Sequence, residues 1–479
     1  MEFKRMCLLI FIYKRYMKIK QLLLAVFLLS IVHGYAQKKY EANWASIDSR
    51  PVPSWFTEAK FGIFIHWGLY SVPSWAPVGK EYQVYSKYAE WYWFRMMNDT
   101  SNVGRAFRQH HNTVYGEKTK YPDFAQDFKA ELFNPDKWAE LFVASGAKYV
   151  VLTSKHHEGF TLWPSAQSWN WNSVDVGPHC DLAGDLMKSV KAKGLRMGYY
   201  YSLYEWFNPL YKSDINRYVD EHMIPQMKDL VTRYHPDILW TDGEWEHPSE
   251  TWKSTQFLSW LYNDSPVKDD IAVNDRWGKE TRSHHGGYFT TEYDLIDNDN
   301  AKEKKIAHPW EECRGIGGSF GLNRNENLAD YSTSETLVHT LVEKVARGGN
   351  LLLDIGPAAD GTIPVIMQQR LMDIGDWLKI NGEAIYATEA WDKAPAVNKE
   401  TSIYFTKKQK DLYVLCTRFP EKEISIENID HPVIVKLLGF NGTVTSSFKN
   451  GRLVVKPPVV TPANNPSNYT WVFKLQNAL

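Results

Sequence analysis

The chain has 479 residues, with 55 Lys and Arg against 56 Asp and Glu, and a net charge of −1. That length accommodates one large barrel plus a smaller domain, and the absence of any basic patch or arm argues against a nucleic-acid partner. Four cysteines without CxxC spacing do not make a disulfide scaffold. From Met17 the sequence reads as an export signal. Lys18 and Lys20 form a basic start, Leu22 to Val32 an apolar core, and Gly34-Tyr35-Ala36 a small-residue cleavage site. Residues 1–16 then read as an over-called start. The signal, 1–36, is expected to be removed, leaving an exported chain, periplasmic or secreted, with no lasting membrane span. No Cys follows the cleavage site, which argues against a lipid anchor.

From residue 37 to 390 apolar runs alternate with helical patterns. The runs are KFGIFIHWG, KYVVLTSKHH, LRMGYYYS, DILWTDG, DIAVNDRWG, PWEECRGIGG and NLLLDIGP. Their near-continuous apolarity suits parallel strands buried on both faces. Between them, Asn134-Pro135 opens a helix whose inner face carries Trp138, Leu141 and Phe142, closed by Gly146. Leu186 and Val190 repeat the pattern before Gly194. Ser332 to Glu335 reads as a capping box ahead of Leu337, Leu341, Val342 and Val345. Polar residues recur at strand ends, which favours a (β/α)8-like, TIM-type barrel over an open sheet. From 391 to 479 the texture changes to short alternating runs between turn residues, SIYFT, LYVLC, EISIE, PVIVKLL, TVTSSF, RLVVK and TWVFKL. These predict an antiparallel β-sandwich.

The chemistry-bearing residues close the strands. Asp242 ends LWTDG beside a glycine that leaves backbone room for a ligand. Glu292, in GGYFTTEYD, is expected on a loop, and Glu311 in PWEEC is its rival. Two carboxylates among aromatics, which make up 14% of the chain, suggest glycoside cleavage. His66 follows FGIFI. His156 and His157 follow another strand, and as neighbours on an extended chain they point to opposite faces, which argues against a shared metal ion. Hydrogen bonds to sugar hydroxyls suit neutral imidazoles better, so no metal and no cofactor is expected. Arg276 could brace a carboxylate, and Glu90-Trp91 sets a polar group beside a stacking ring. Asp354, in NLLLDIGP, reads as part of a tight turn that closes the barrel.

Taken together, FGIFIHWG, KHHEGF, LWTDGEW, NDRWG, HHGGY and GGNLLLDIGP resemble the α-L-fucosidases of glycoside hydrolase family 29. The resemblance covers about Trp55 to Thr388 and fits the trailing β-domain. It implies a retaining, metal-free hydrolase of terminal α-L-fucose. It makes Asp242 the nucleophile and places Trp240, His66, His156, His157, Glu90, Trp91, Tyr201 and Arg276 around the fucose. The TTEY segment resembles the version in which Glu292 is the acid/base, with Glu311 the alternative. Glu158 stands where many members have Asp. The implied partners are fucosylated oligosaccharides or glycoconjugates. A catalytically inactive fucose-binding protein of the same fold is the other reading, and retention of both Asp242 and Glu292 argues against it.

Overall fold

The computed structural model describes residues 38–294, 308–395, 402–449 and 452–479, with Tyr13, 15–17 and Lys20 near the N-terminus. The expected export signal lies almost wholly outside these residues. Among them, no helix is long and apolar enough to cross a membrane. The chain forms two compact units, Met1–Glu41 and Ala42–Leu479. The second holds every strand among the described residues.

Eight parallel strands form one curled sheet. They are β1 (Phe61–Ile65), β2 (Tyr149–Lys155), β3 (Arg196–Ser202), β4 (Ile238–Asp242), β5 (Ala272–Val273), β6 (Phe289–Glu292), β7 (Trp310–Gly315) and β8 (Asn350–Ile355). The order is β5-β4-β3-β2-β1-β8-β7-β6, the (β/α)8-like arrangement expected. Every residue of β1, β2, β4 and β8 is buried, as strands with helices outside and side chains inside must be. Seven of the eight strands fall on the seven apolar runs. The eighth, β6, replaces an expected loop, because FTTE is short and polar. Pairing with β7 supplies the backbone partners that its side chains do not advertise.

No ladder joins β5 to β6. The seam is crossed by hydrogen bonds from Gly287 N to Asn274 O and from Tyr288 N to Val273 O, each 3.0 Å. A Cβ on Gly287 would sit 1.8 Å from Val273 O, so only glycine lets the return segment run this close to β5. The helix at Pro135–Ala144 is capped by Asn134, whose side chain accepts from Lys137 N. The later helix, Ser334–Ala346, begins differently from the expected box: Thr333 caps it through Thr336 N, and Ser332 is held by its backbone to Ile316 and Arg370.

All seven C-terminal runs are strands. They form a five-stranded and a three-stranded antiparallel sheet, with Glu389–Ala390 joining the first as an edge. Val414, Phe473 and Leu475 from one sheet share a core with Ile424, Leu453 and Val455 from the other, which makes the pair a sandwich.

Candidate active site

A cavity of about 210 Å³ lies at the C-terminal ends of the barrel strands. Active sites of this architecture occupy that end because side chains from several strand ends converge there.

Strand alternation selects the lining. Tyr200 pairs with Trp240 and Ser202 with Asp242 across β3 and β4, so these four share the interior face. Tyr200 donates its hydroxyl to Asp242 Oδ2 at 3.0 Å. Tyr201, the residue implied by the resemblance, points the other way. Its hydroxyl donates to Gln226 Oε1 at 2.8 Å, away from the cavity. One position along a strand exchanges inside for outside. Gly243, at φ +76, turns the chain immediately after Asp242, and a Cβ there would meet Tyr204 Cβ at 2.6 Å.

The two histidines after β2 both reach the cavity, contrary to the expectation of opposite faces. The strand ends at Lys155, so period-two alternation no longer governs them, and the β2–β3 register shifts between Thr153 and Lys155. A bulge at that place re-aims the side chains beyond it, and the two ring centroids come within 4.2 Å. Ser202 Oγ donates to Tyr204 O at 2.6 Å, so it accepts the proton of His157 Nδ1, also at 2.6 Å. Nε2 of His157 is thereby left as an acceptor, 3.8 Å from Asp242 Oδ2, too far for a direct bond. Burial, then the neighbouring His156, pushes His157 well below the ordinary imidazole range.

His66 is buried and holds Asp354 Oδ1 through Nδ1 at 2.7 Å. Asp354 lies within β8 and not in a turn. Its part in the site is to fix this imidazole. Burial pushes His66 down and Asp354 up. The contact through Nδ1 leaves Nε2 of His66 for the cavity that the ring lines. Glu90 accepts from Gly321 N at 2.9 Å and Ser319 Oγ at 3.2 Å. Burial, opposed chiefly by His156, pushes it up to about 7.

Arg276 organises the carboxylates. Its Nη1 donates to Asp242 Oδ1 at 2.7 Å and its Nη2 to Glu292 Oε2 at 3.3 Å. Its Nε donates to Thr290 Oγ1 at 3.0 Å, and the same hydroxyl donates to Asp275 Oδ1 at 2.7 Å. The guanidinium lies over the Trp240 ring, 4.4 Å from its centroid. Asn274 completes the brace by accepting from Thr241 Oγ1 at 2.8 Å. Burial alone would raise the Asp242 carboxyl, but the guanidiniums of Arg276 and Arg282 outweigh it and hold Asp242 well below the usual carboxylate range. Glu292 also accepts from Tyr88 OH at 2.8 Å.

Glu311 is fully buried and outside the cavity. It shares the inner face of β7 with Cys313, which does line the cavity, but stands one layer deeper. There it accepts from Trp240 Nε1 at 2.9 Å and from Tyr149 OH. Burial raises it to about 7, against the opposing hydrogen bonds. A carboxyl that keeps its proton longer when folded makes stability fall as pH rises from its unfolded value to about 7. Glu311→Gln is expected to recover on the order of 1–3 kcal/mol of that decline. Denaturant unfolding at pH 5 and pH 7.5 checks this, and an unchanged slope would refute it.

Local sequence does not single out Tyr88, Tyr200, Arg282 or the Phe64–Phe320 corner, all of which line the cavity. Alternation from Asp242 across the paired strands points to Tyr200. The others arrive on loops or from adjacent strands. Among the described residues, no three or more His, Cys, Asp or Glu are grouped to hold a metal ion.

Comparison with known proteins identifies the family. Residues 27–383 match the family model described as α-L-fucosidase. The chain is 42% identical over 460 residues to human tissue α-L-fucosidase, covering 93% of this chain and 94% of that one. It is 43% identical over 475 residues to α-L-fucosidase from Dictyostelium discoideum, covering 95% and 99%. A crystal structure of Thermotoga maritima α-fucosidase with a mechanism-based inhibitor superposes with TM-score 0.75 at 36% identity, covering 91% of this chain and all of that one. This chain therefore belongs to the α-L-fucosidases, glycoside hydrolase family 29.

Proposed function

We propose that the chain is an exo-acting, retaining α-L-fucosidase that removes terminal α-L-fucose from fucosylated glycans by double displacement, after export to the periplasm or medium. The barrel carries the reaction, and the trailing sandwich domain, expected from 391, begins with the edge strand Glu389–Ala390. The observation that carries this reading is the single guanidinium of Arg276 spanning Asp242 and Glu292 at one cavity.

In the first step Asp242 attacks the anomeric carbon while Glu292 passes its proton to the leaving oxygen. Asp242 loses its charge as the fucosyl ester forms, and Glu292 gains one. Arg276 therefore faces one carboxylate throughout, and the charge relocates across a group already in place. In the second step Glu292 takes a proton from water, which attacks the same carbon and frees Asp242. His66 Nε2, His157 Nε2 and Glu90 offer polar atoms for the sugar hydroxyls. Phe64, Phe320 and Cys313 offer an apolar corner for the C6 methyl.

Two measurements test this. Proton NMR of early product is expected to show α-L-fucose formed first, and β-L-fucose would sink retention. Glu292→Ala is expected to lose roughly 10²–10⁴-fold in turnover of an unactivated glycan. With 4-nitrophenyl α-L-fucoside and azide it should form α-L-fucosyl azide, because azide needs no general base to attack the ester. If Glu311→Gln gives that adduct and Glu292→Ala does not, the acid/base is Glu311.

A further inference from the structure

The cavity has a closed floor and an open mouth. His66, Glu90, His157, Tyr200 and Trp240 are each 4% exposed or less. Trp245, by contrast, is 37% exposed, and the Arg282 side chain is 34% exposed. Both line the same cavity.

Their placement follows from the turn at Gly243. It sends Glu244 inward, where the residue is 2% exposed, and leaves Trp245 at the mouth. The Trp245 ring lies nearly parallel to Trp91, at 22° and 6.3 Å, and edge-on to His157 at 5.5 Å. It is thus one ring further out than two groups of the fucose subsite. Arg282 donates through Nε to Glu244 Oε1, and its Nη2 stands 3.5 Å from Asp242 Oδ1. Glu244 Oε2 is buried with no hydrogen-bond partner among the described residues. A buried carboxyl is costly to retain, and here it fixes the orientation of a guanidinium whose side chain is part-exposed at the cavity.

We propose that Trp245 and Arg282 form a leaving-group subsite for the second sugar, resting on the fucosidase reading above. The apolar face of a pyranose lies on the indole, and its hydroxyls accept from the guanidinium. A broad, rigid aromatic surface beside a fixed fork of donors suits a ring that is apolar on its faces and polar at its edge. Substrate choice then depends on how well the penultimate ring fits these two side chains.

The test compares α-L-fucosyl fluoride, whose leaving group has no ring, with a disaccharide of α-L-fucose on galactose. The quantity read is kcat/KM for the disaccharide divided by kcat/KM for the fluoride. This ratio is internal to each variant and independent of the fraction folded. Trp245→Ala and Arg282→Met are each expected to lower it by about fivefold or more. A smaller fall in either variant overturns the two-residue subsite. Loss of activity on both substrates in parallel does so too, since it would place the side chains in fucose binding. A parent chain inactive on both substrates would instead remove the fucosidase reading itself.

Discussion

Asp242→Gly is expected to lose on the order of 10⁴-fold in turnover of 4-nitrophenyl α-L-fucoside, the scale seen when one member of a catalytic unit is removed. Azide should restore part of the rate and yield β-L-fucosyl azide. The anion would enter through the space vacated by the carboxylate and attack the face opposite the leaving group. The fold should survive, because Arg276 keeps Glu292, Thr290 and the Trp240 ring as partners. Turnover near that of the parent, or an azide product of the same anomer as the substrate, would refute Asp242 as nucleophile. Opposite azide anomers from the Asp242 and Glu292 variants would identify both carboxylates by the same chemistry.

Lys155→Met is expected to destabilise the protein by about 3–5 kcal/mol, the cost of leaving a buried carboxylate without its partner. Lys155 Nζ is fully buried, 2.8 Å from Glu205 Oε2. Glu205 also accepts from Tyr218 OH at 3.1 Å and Asn208 Nδ2 at 2.8 Å, with His222 Nε2 at 3.0 Å. Burial would raise Glu205, but Lys155 and His222 outweigh it and hold the carboxyl well below its usual range. A depressed carboxyl stabilises the fold above its unfolded value, and that contribution disappears only as pH falls through the folded one. The pair should therefore hold at pH 5 and fail in stronger acid. Lys155→Met/Glu205→Leu is expected to regain much of the loss, since removing both charges leaves nothing unpaired. A single variant within about 0.5 kcal/mol of the parent would refute the assignment.

The same pair bears on the site. Lys155 is the last residue of β2, immediately before His156 and His157, and Glu205 belongs to the segment after β3. Trp206 N in that segment donates to His157 O at 2.9 Å. The ion pair thus joins the two strand exits that supply the histidine wall. Tyr218 and His222, which also contact Glu205, lie in a π-helical turn, Tyr218–Met223, a local irregularity often found beside functional sites.

Much of this was legible in the sequence, for definite reasons. Long apolar runs have few ways to be buried, so seven barrel strands and the seven sandwich strands could be read from pattern and turn residues. Asp242 stood out as a carboxylate beside glycine at the end of such a run, although Asp-Gly is also a common turn pair that local sequence does not distinguish. What the chain alone did not settle depends on relations between segments. Tyr200 and Tyr201 differ only by strand parity, which is meaningful once β3 is registered against β4. FTTE becomes a strand through its pairing with β7. His156 and His157 share a cavity because the strand stops and bulges just before them. Glu311 and Cys313 lie on one face of one strand, and only the depth of the barrel separates a buried carboxyl from a cavity wall. Arg276 could pair with any acid until the fold brought Asp242 and Glu292 to its two nitrogens. Local sequence determined which residues end strands. Tertiary packing decided which of those ends meet, because side-chain direction and depth are properties of the assembled barrel.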